Sequence, residues 1–211
     1  MFTTSETTDL RLDAPIANLC FLLGKAFQQP DTFDREDPRL LSEALEASKL
    51  DSEPECMELV QQWQRALNSD TTPLLRDYAR LFLGPFEIRA APYATFYLDP
   101  EQRLMGVVSQ EVSQYYIEAG LGPREDQPCD APDHIVTECE FLYYLAHQCL
   151  TQSNSEQWFA HFQRFSHEHF ACWLDGFCEA ILAVEDTQPF YPALARFTLR
   201  FKKMLMQVQG I

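Results

Sequence analysis

LFLGPFEIRAAPYATFYLD, residues 81–99, interrupts a chain that otherwise reads as helix after helix. Gly84, Pro85 and Pro92 halt any helix that enters it. The alternation in YATFYL also fits a strand, but one isolated strand has no partner to satisfy its backbone. The stretch is therefore read as an extended loop packed on helices, and the fold class is all-α. Compact helical domains join their elements with about two to eight residues, so a passage this long is either functional or disordered. Phe82, Phe86, Tyr93, Phe96 and Tyr97 are residue types that disordered segments lack, which points to function.

Outward from this stretch, caps and prolines mark the helix starts. Asp37 before Pro38 and Thr72 before Pro73 each set a capping side chain ahead of a proline, and Ser52 with Glu55 and Ser153 with Glu156 fit the capping box. Helices are expected at about 15–28, 38–49, 54–68, 73–83, 106–119, 132–151, 155–184 (broken near Ser166) and 189–208. This gives one compact domain, 1–211, of about eight to ten helices, with the long aromatic loop after the fourth. The connection 121–131, with Gly122, Pro123 and Pro128, is a candidate hinge between two helical halves, leaving monomer and domain-swapped homodimer both open.

Helical stripes define the expected core. Ile135, Cys139, Leu142, Ala146 and Cys149 form one seam; Phe162, Phe165, His169, Trp173 and Phe177 a second; Leu194, Phe197, Phe201 and Leu205 a third. With only 7 Gly and 16 Phe, the composition favours helices around a bulky core. The 7 cysteines are scattered, without C-x-x-C or zinc spacing, and read as reduced, mostly buried thiols.

Sixteen Lys and Arg against 32 Asp and Glu leave a net charge of −16, which disfavours nucleic acid or an anionic membrane and suits a basic partner. All residues after Asp186 reverse that bias, with Arg196, Arg200, Lys202 and Lys203 and no acid. No leader-like start and no run of eighteen apolar residues occur, so a soluble cytoplasmic protein is expected.

Catalysis has no motif behind it: neither G-x-S-x-G, P-loop nor dinucleotide fingerprint is present. His167 and His169 flank Glu168 at i and i+2, where helical side chains diverge, and read as one packed and one solvated histidine. His134 and Glu138, at i and i+4, could pair or hold a metal but lack a third ligand at helical spacing. The chain reads as a binding protein, not an enzyme, and no cofactor or metal is expected.

Two passages carry a resemblance. Tyr78-x-x-Leu81-Phe82-x-Gly84-Pro85, Pro92-Tyr93-x-x-x-Tyr97-x-Asp99 and Pro132-Asp133-His134-Ile135 resemble the signature segments of the TorD/DmsD family of cytoplasmic redox-enzyme chaperones. Phe165-x-x-x-His169-x-x-x-Trp173-x-x-x-Phe177 and Pro189-Phe190-Tyr191-x-x-Leu194-Ala195 resemble its C-terminal pattern. The resemblance implies an all-helical domain that binds the twin-arginine signal peptide of a molybdenum-containing oxidoreductase precursor and retains the enzyme until its cofactor is inserted. Carried over, its peptide-binding surface falls on Tyr78, Leu81, Phe82, Pro85, Phe86, Pro92, Tyr93, Tyr97, Asp133 and His134.

Such a peptide is cationic and then apolar, so its receptor needs carboxylates beside an exposed aromatic groove. Asp99 and Asp133 are the candidate partners for the arginines. Asp133 also suits a helix-capping role, and Tyr78, Leu81 and Phe82, at i, i+3 and i+4, suit a core face. Phe86, Tyr93 and Tyr97 are the strongest candidates, expected to be partly exposed in a cleft shared with Asp133 and His134. A helical interaction scaffold without peptide readout, or a small metal-dependent hydrolase using His134, Glu138 and Asp133, are the alternatives.

Overall fold

The computed structural model describes residues 10–84, 88–122 and 131–210, which form an all-helical domain. Helix α1 (Ala14–Ala26) starts where the Asp13 carboxylate accepts a hydrogen bond from the Ile16 amide at 3.0 Å, with Pro15 preset for the first turn. It is followed by α2 (Asp37–Ala47), α3 (Pro54–Leu67) and α4 (Thr72–Tyr78), the last prolonged by a wide π-turn at Ala79–Leu83. The aromatic stretch contributes α5 (Thr95–Leu98), and α6 (Val107–Glu118) and α7 (Ile135–Thr151) come next. The chain closes with α8 (Ser155–Phe165), a π-turn at Ser166–Phe170, α9 (Ala171–Leu182) and α10 (Phe190–Leu205).

Packing runs in a cycle. α1 lies between α7 and α2, α2 against α3, α3 against α10, α10 against α9, and α9 returns through the π-turn to α8, which packs on α7. Where α1 crosses α7, a Cβ on Gly24 would sit 3.0 Å from Cys139 Cβ, so glycine lets the helices approach closely. Trp63, Trp173, Tyr191, Phe162, Phe165, Phe170, Phe177 and Phe197 fill the centre. All three predicted apolar stripes are buried throughout, His169 included.

The departures from expectation are local. α7 opens at Ile135, not Pro132, because Pro132 and Asp133 lie in a turn closed by the His134 amide on the Ala131 carbonyl (3.0 Å), and His134 is extended and bridged to Tyr93. The 155–184 helix is not broken near Ser166; it passes through the π-turn. YATFYL is neither strand nor plain loop, for four of its residues form α5. The capping boxes at Ser52 and Ser153 do not form, and no side chain caps α2. At α4, Asp70 accepts from both the Thr72 amide (2.9 Å) and the Thr72 hydroxyl (2.7 Å), replacing Thr72 as the start signal.

Of the cysteines, Cys20, Cys56, Cys139, Cys149 and Cys178 are buried free thiols and Cys172 is exposed; burial pushes the Cys56 thiol up to about 12. Among the described residues no helix is long and apolar enough to cross a membrane. Cys129 and residues 123–130 of the predicted hinge lie outside the described residues.

Candidate peptide-binding face

The site is built around one short junction between residues distant in sequence. Tyr93 and His134 form an antiparallel bridge: the Ala94 amide donates to the Asp133 carbonyl (2.9 Å), and the Ile135 amide to the Pro92 carbonyl (2.9 Å). Pro92 fixes the chain in the extended form this pairing needs. The rings of Tyr93 and His134 meet edge to face at 5.0 Å. Nδ1 of His134 accepts from the Val136 amide (3.3 Å), making His134 the N-cap of α7.

Asp133 is wholly buried, and its carboxylate is committed. Oδ2 accepts from the Thr95 amide at 3.0 Å and Oδ1 from the Ser109 hydroxyl at 2.7 Å. It therefore does cap a helix, but α5 and not its own. The same contacts correct the reading of Asp133 as a free charge for a ligand arginine, because both oxygens face inward onto protein donors. Tyr116 completes the junction, donating its hydroxyl to the Pro132 carbonyl at 2.6 Å.

Tyr78, Leu81 and Phe82 are also buried. The Phe82 ring packs against Tyr78 (5.2 Å), Tyr191 (5.6 Å), Phe177 (6.1 Å) and Phe27 (6.2 Å). Their helical spacing is that of a core face, and they offer little surface to a ligand. Pro85 and Phe86 lie outside the described residues. Pro92 is buried at the bridge, while Tyr93, Phe96, Tyr97 and Asp99 are half-buried.

Tyr93 and Tyr97 do not share one cleft. Tyr93 faces the start of α7, whereas Tyr97 stacks on Trp173 (5.8 Å, 23° between planes) and edges onto Phe177 (5.9 Å), both on α9. Burial pushes the Tyr97 phenol above its ordinary range. Asp99 closes the turn after α5, its Oδ1 accepting from the Glu101 amide at 2.9 Å.

The sequence reading missed an apolar shoulder beyond Asp99. Leu98 (37 % exposed) at the end of α5, Leu104 (47 %) and Met105 (64 %) in the loop joining α5 to α6, and Val107 (64 %) at the start of α6 are all exposed. That loop is held at two left-handed residues, Gln102 (φ 50°) and Met105 (φ 57°), and Gln102 Nε2 ties it to the Phe96 carbonyl at 3.2 Å. The clue lay in LMGVV, an apolar run at the mouth of the long loop that no helical stripe absorbs. Half-exposed rings followed by exposed aliphatics suit an apolar peptide segment, with Asp99 and Glu101 alongside as the nearest acids in sequence.

Among the described residues no three His, Cys, Asp or Glu side chains gather as a metal-holding group. Asp133, His134 and Glu138 are each engaged separately: Glu138 accepts from Trp173 Nε1 (3.0 Å) and meets His169 Nε2 (2.6 Å). Elsewhere, an apolar groove of about 360 Å³ lies between α1, α2 and α7, lined by Phe21, Leu22, Leu40, Ala44 and Tyr143.

Gly176 allows Tyr97 its seat. A Cβ there would fall 3.0 Å from Tyr97 Cδ1, so Gly176→Ala must displace the ring. The helical gain from alanine, about 0.8–1 kcal/mol, offsets part of the crowding, about 1–3 kcal/mol. Urea unfolding is expected to change by less than about 2 kcal/mol, while the near-ultraviolet circular dichroism of the Tyr97–Trp173 pair changes clearly. An unaltered aromatic spectrum would contradict the seating described.

The all-helical fold is shared with a solved Archaeoglobus fulgidus structure described as a redox enzyme maturation protein, which superposes with a TM-score of 0.52, at 19% identity, over 90% of this chain and 93% of that one. The family model for the nitrate reductase delta subunit matches residues 49–179, and the chain belongs to that family, which takes in the TorD and DmsD chaperones. The chaperone protein TorD of Shewanella pealeana is 33% identical over 146 residues, 65% of this chain and 62% of that protein. A Tat proofreading chaperone, DmsD of Haemophilus influenzae, is 30% identical over 131 residues, 60% and 57% of the respective chains. The similarity thus spans less than two thirds of these relatives' length.

Proposed function

We propose that this chain is a cytoplasmic maturation chaperone that binds the twin-arginine signal peptide of a molybdenum-containing oxidoreductase precursor and holds the precursor for cofactor insertion before export. The observation that supports this best is the run of half-exposed Tyr93, Phe96 and Tyr97 leading into exposed Leu98, Leu104, Met105 and Val107. That surface is pinned to α7 by the 92–94/133–135 bridge, so little ordering cost is incurred on binding. The net charge of −16 favours approach of a cationic leader, with Asp99 and Glu101 near the rings in sequence. The named chaperones among its relatives point the same way.

Isothermal titration with a synthetic twin-arginine leader tests the reading. Replacing both arginines by alanine is expected to weaken binding about tenfold, the scale of losing one or two charge-assisted contacts. Truncating the apolar segment should weaken it by at least as much. Equal heats for all three peptides would count against peptide recognition.

The groove between α1, α2 and α7 favours a second reading, a scaffold that docks a folded client without reading its leader. Crosslinking separates the two. A scaffold captures a precursor stripped of its N-terminal segment, and a leader-reading chaperone does not.

A further inference from the structure

Two carboxylates on or just before α7 bear on α5 from opposite ends. Asp133 holds the α5 N-terminus directly, through the Thr95 amide. Glu138 lies one turn into α7, fully buried, and reaches the same element through an intermediary. Its Oε2 accepts from the Trp173 indole at 3.0 Å, and the face of that indole carries the Tyr97 ring at 5.8 Å and 23°. Its Oε1 meets His169 Nε2 at 2.6 Å, so the carboxylate is braced from the π-turn while it orients the indole. An indole N–H donates in one direction only, so fixing its acceptor fixes which edge of the ring faces the carboxylate. Rotating Trp173 would move the platform under Tyr97.

We propose that Glu138 is a positioning residue for the peptide-binding face, setting the orientation of the Tyr97 ring through Trp173. This rests on the functional reading above, in which Tyr97 meets the peptide. His169 is the brace in this arrangement, and the π-turn brings its imidazole opposite Glu138. Glu138 touches no ligand in this account. Its influence travels through one hydrogen bond and one stacked pair, so an isosteric amide that still accepts from the indole should preserve it.

The test labels the full chain with 3-fluorotyrosine, assigns the Tyr97 fluorine resonance by Tyr97→Phe, and compares wild type with Glu138→Gln and Glu138→Ala. Tyr97 lies over an indole, so its resonance carries a ring-current shift that changes if the indole turns. Glu138→Ala is expected to move that resonance and to weaken a twin-arginine leader about tenfold. Glu138→Gln should restore both, even though it removes the charge. If Glu138→Ala fails to fold, Glu138→Leu, which fills the space but cannot accept from the indole, takes its place with the same expectation. A Tyr97 resonance that stays put in the acceptor-less variant overturns the inference. Unchanged peptide affinity beside a shifted resonance also overturns it, while leaving peptide binding intact. A wild-type chain that binds no leader at all overturns the functional reading and this inference together.

Discussion

Asp133→Ala is expected to lower folding stability by about 2–4 kcal/mol, because it orphans two donors inside the protein. The Thr95 amide and the Ser109 hydroxyl both bond to this one wholly buried carboxylate. Neither donor has water to turn to, so each keeps its desolvation cost and loses its partner. For a chain of this length the loss corresponds to a fall in Tm of roughly 5–15 °C. Asp133→Asn keeps one acceptor and the shape of the side chain, and should lose about half as much. A residue that contacted ligand arginines would behave oppositely, with Asp133→Asn abolishing binding at unchanged stability. Thermal unfolding of both variants, paired with leader titration, distinguishes a structural cap from a ligand contact.

His169→Ala is expected to cost about 3–5 kcal/mol at neutral pH, since it strands the Glu138 carboxylate in the core. Burial by itself disfavours the charged imidazole, but the Glu138 carboxylate, by charge and hydrogen bond, outweighs it and holds His169 above its ordinary 6.5, with Asp133 and Glu111 adding to the effect. Burial likewise raises Glu138 above its ordinary 4.5, opposed in part by His169. Both shifts are upward, so the folded chain binds more protons than the unfolded one, and stability falls as pH rises. The His169 contribution is complete below pH 6.5 and is lost as pH climbs through its raised folded value. Urea titrations across pH 5–9, an interval of about four units chosen to bracket an ordinary histidine, should show this decline in wild type; His169→Ala loses the histidine's share, while Glu138, no longer opposed by His169, still lowers stability as pH rises. A stability that rises over that interval in wild type would contradict the assigned pairing.

The helical core was legible because its signal is local. Phe162, Phe165, Trp173 and Phe177, or Leu194, Phe197 and Phe201, declare a buried face by spacing alone, and all are buried. What the sequence could not show depends on partners far along the chain. Residues 132–134 read as the first turn of α7 until the Ala94 amide takes the Asp133 carbonyl and the Ile135 amide turns to the Pro92 carbonyl. Asp133 looks like a cap for the helix that follows it, and nothing nearby reveals donors 38 and 24 residues earlier. The capping boxes failed for the converse reason, as a local pattern was satisfied in sequence but not chosen in space. The candidate face was half legible. Tyr93, Tyr97 and Asp99 are half-buried where loop aromatics and an acid were expected, but Tyr78, Leu81 and Phe82 belong to the core. The aliphatics from Leu98 to Val107 follow no helical or strand period, so nothing local marks them as one exposed surface.

Hydrogen exchange with and without a saturating twin-arginine leader tests the central claim most directly, because it locates the peptide without altering the protein. Protection is expected in the segment from Tyr93 to Val107 and at the start of α7, with little change on α2. Protection centred instead on α1 and α2, along the groove lined by Phe21, Leu40 and Ala44, would contradict it.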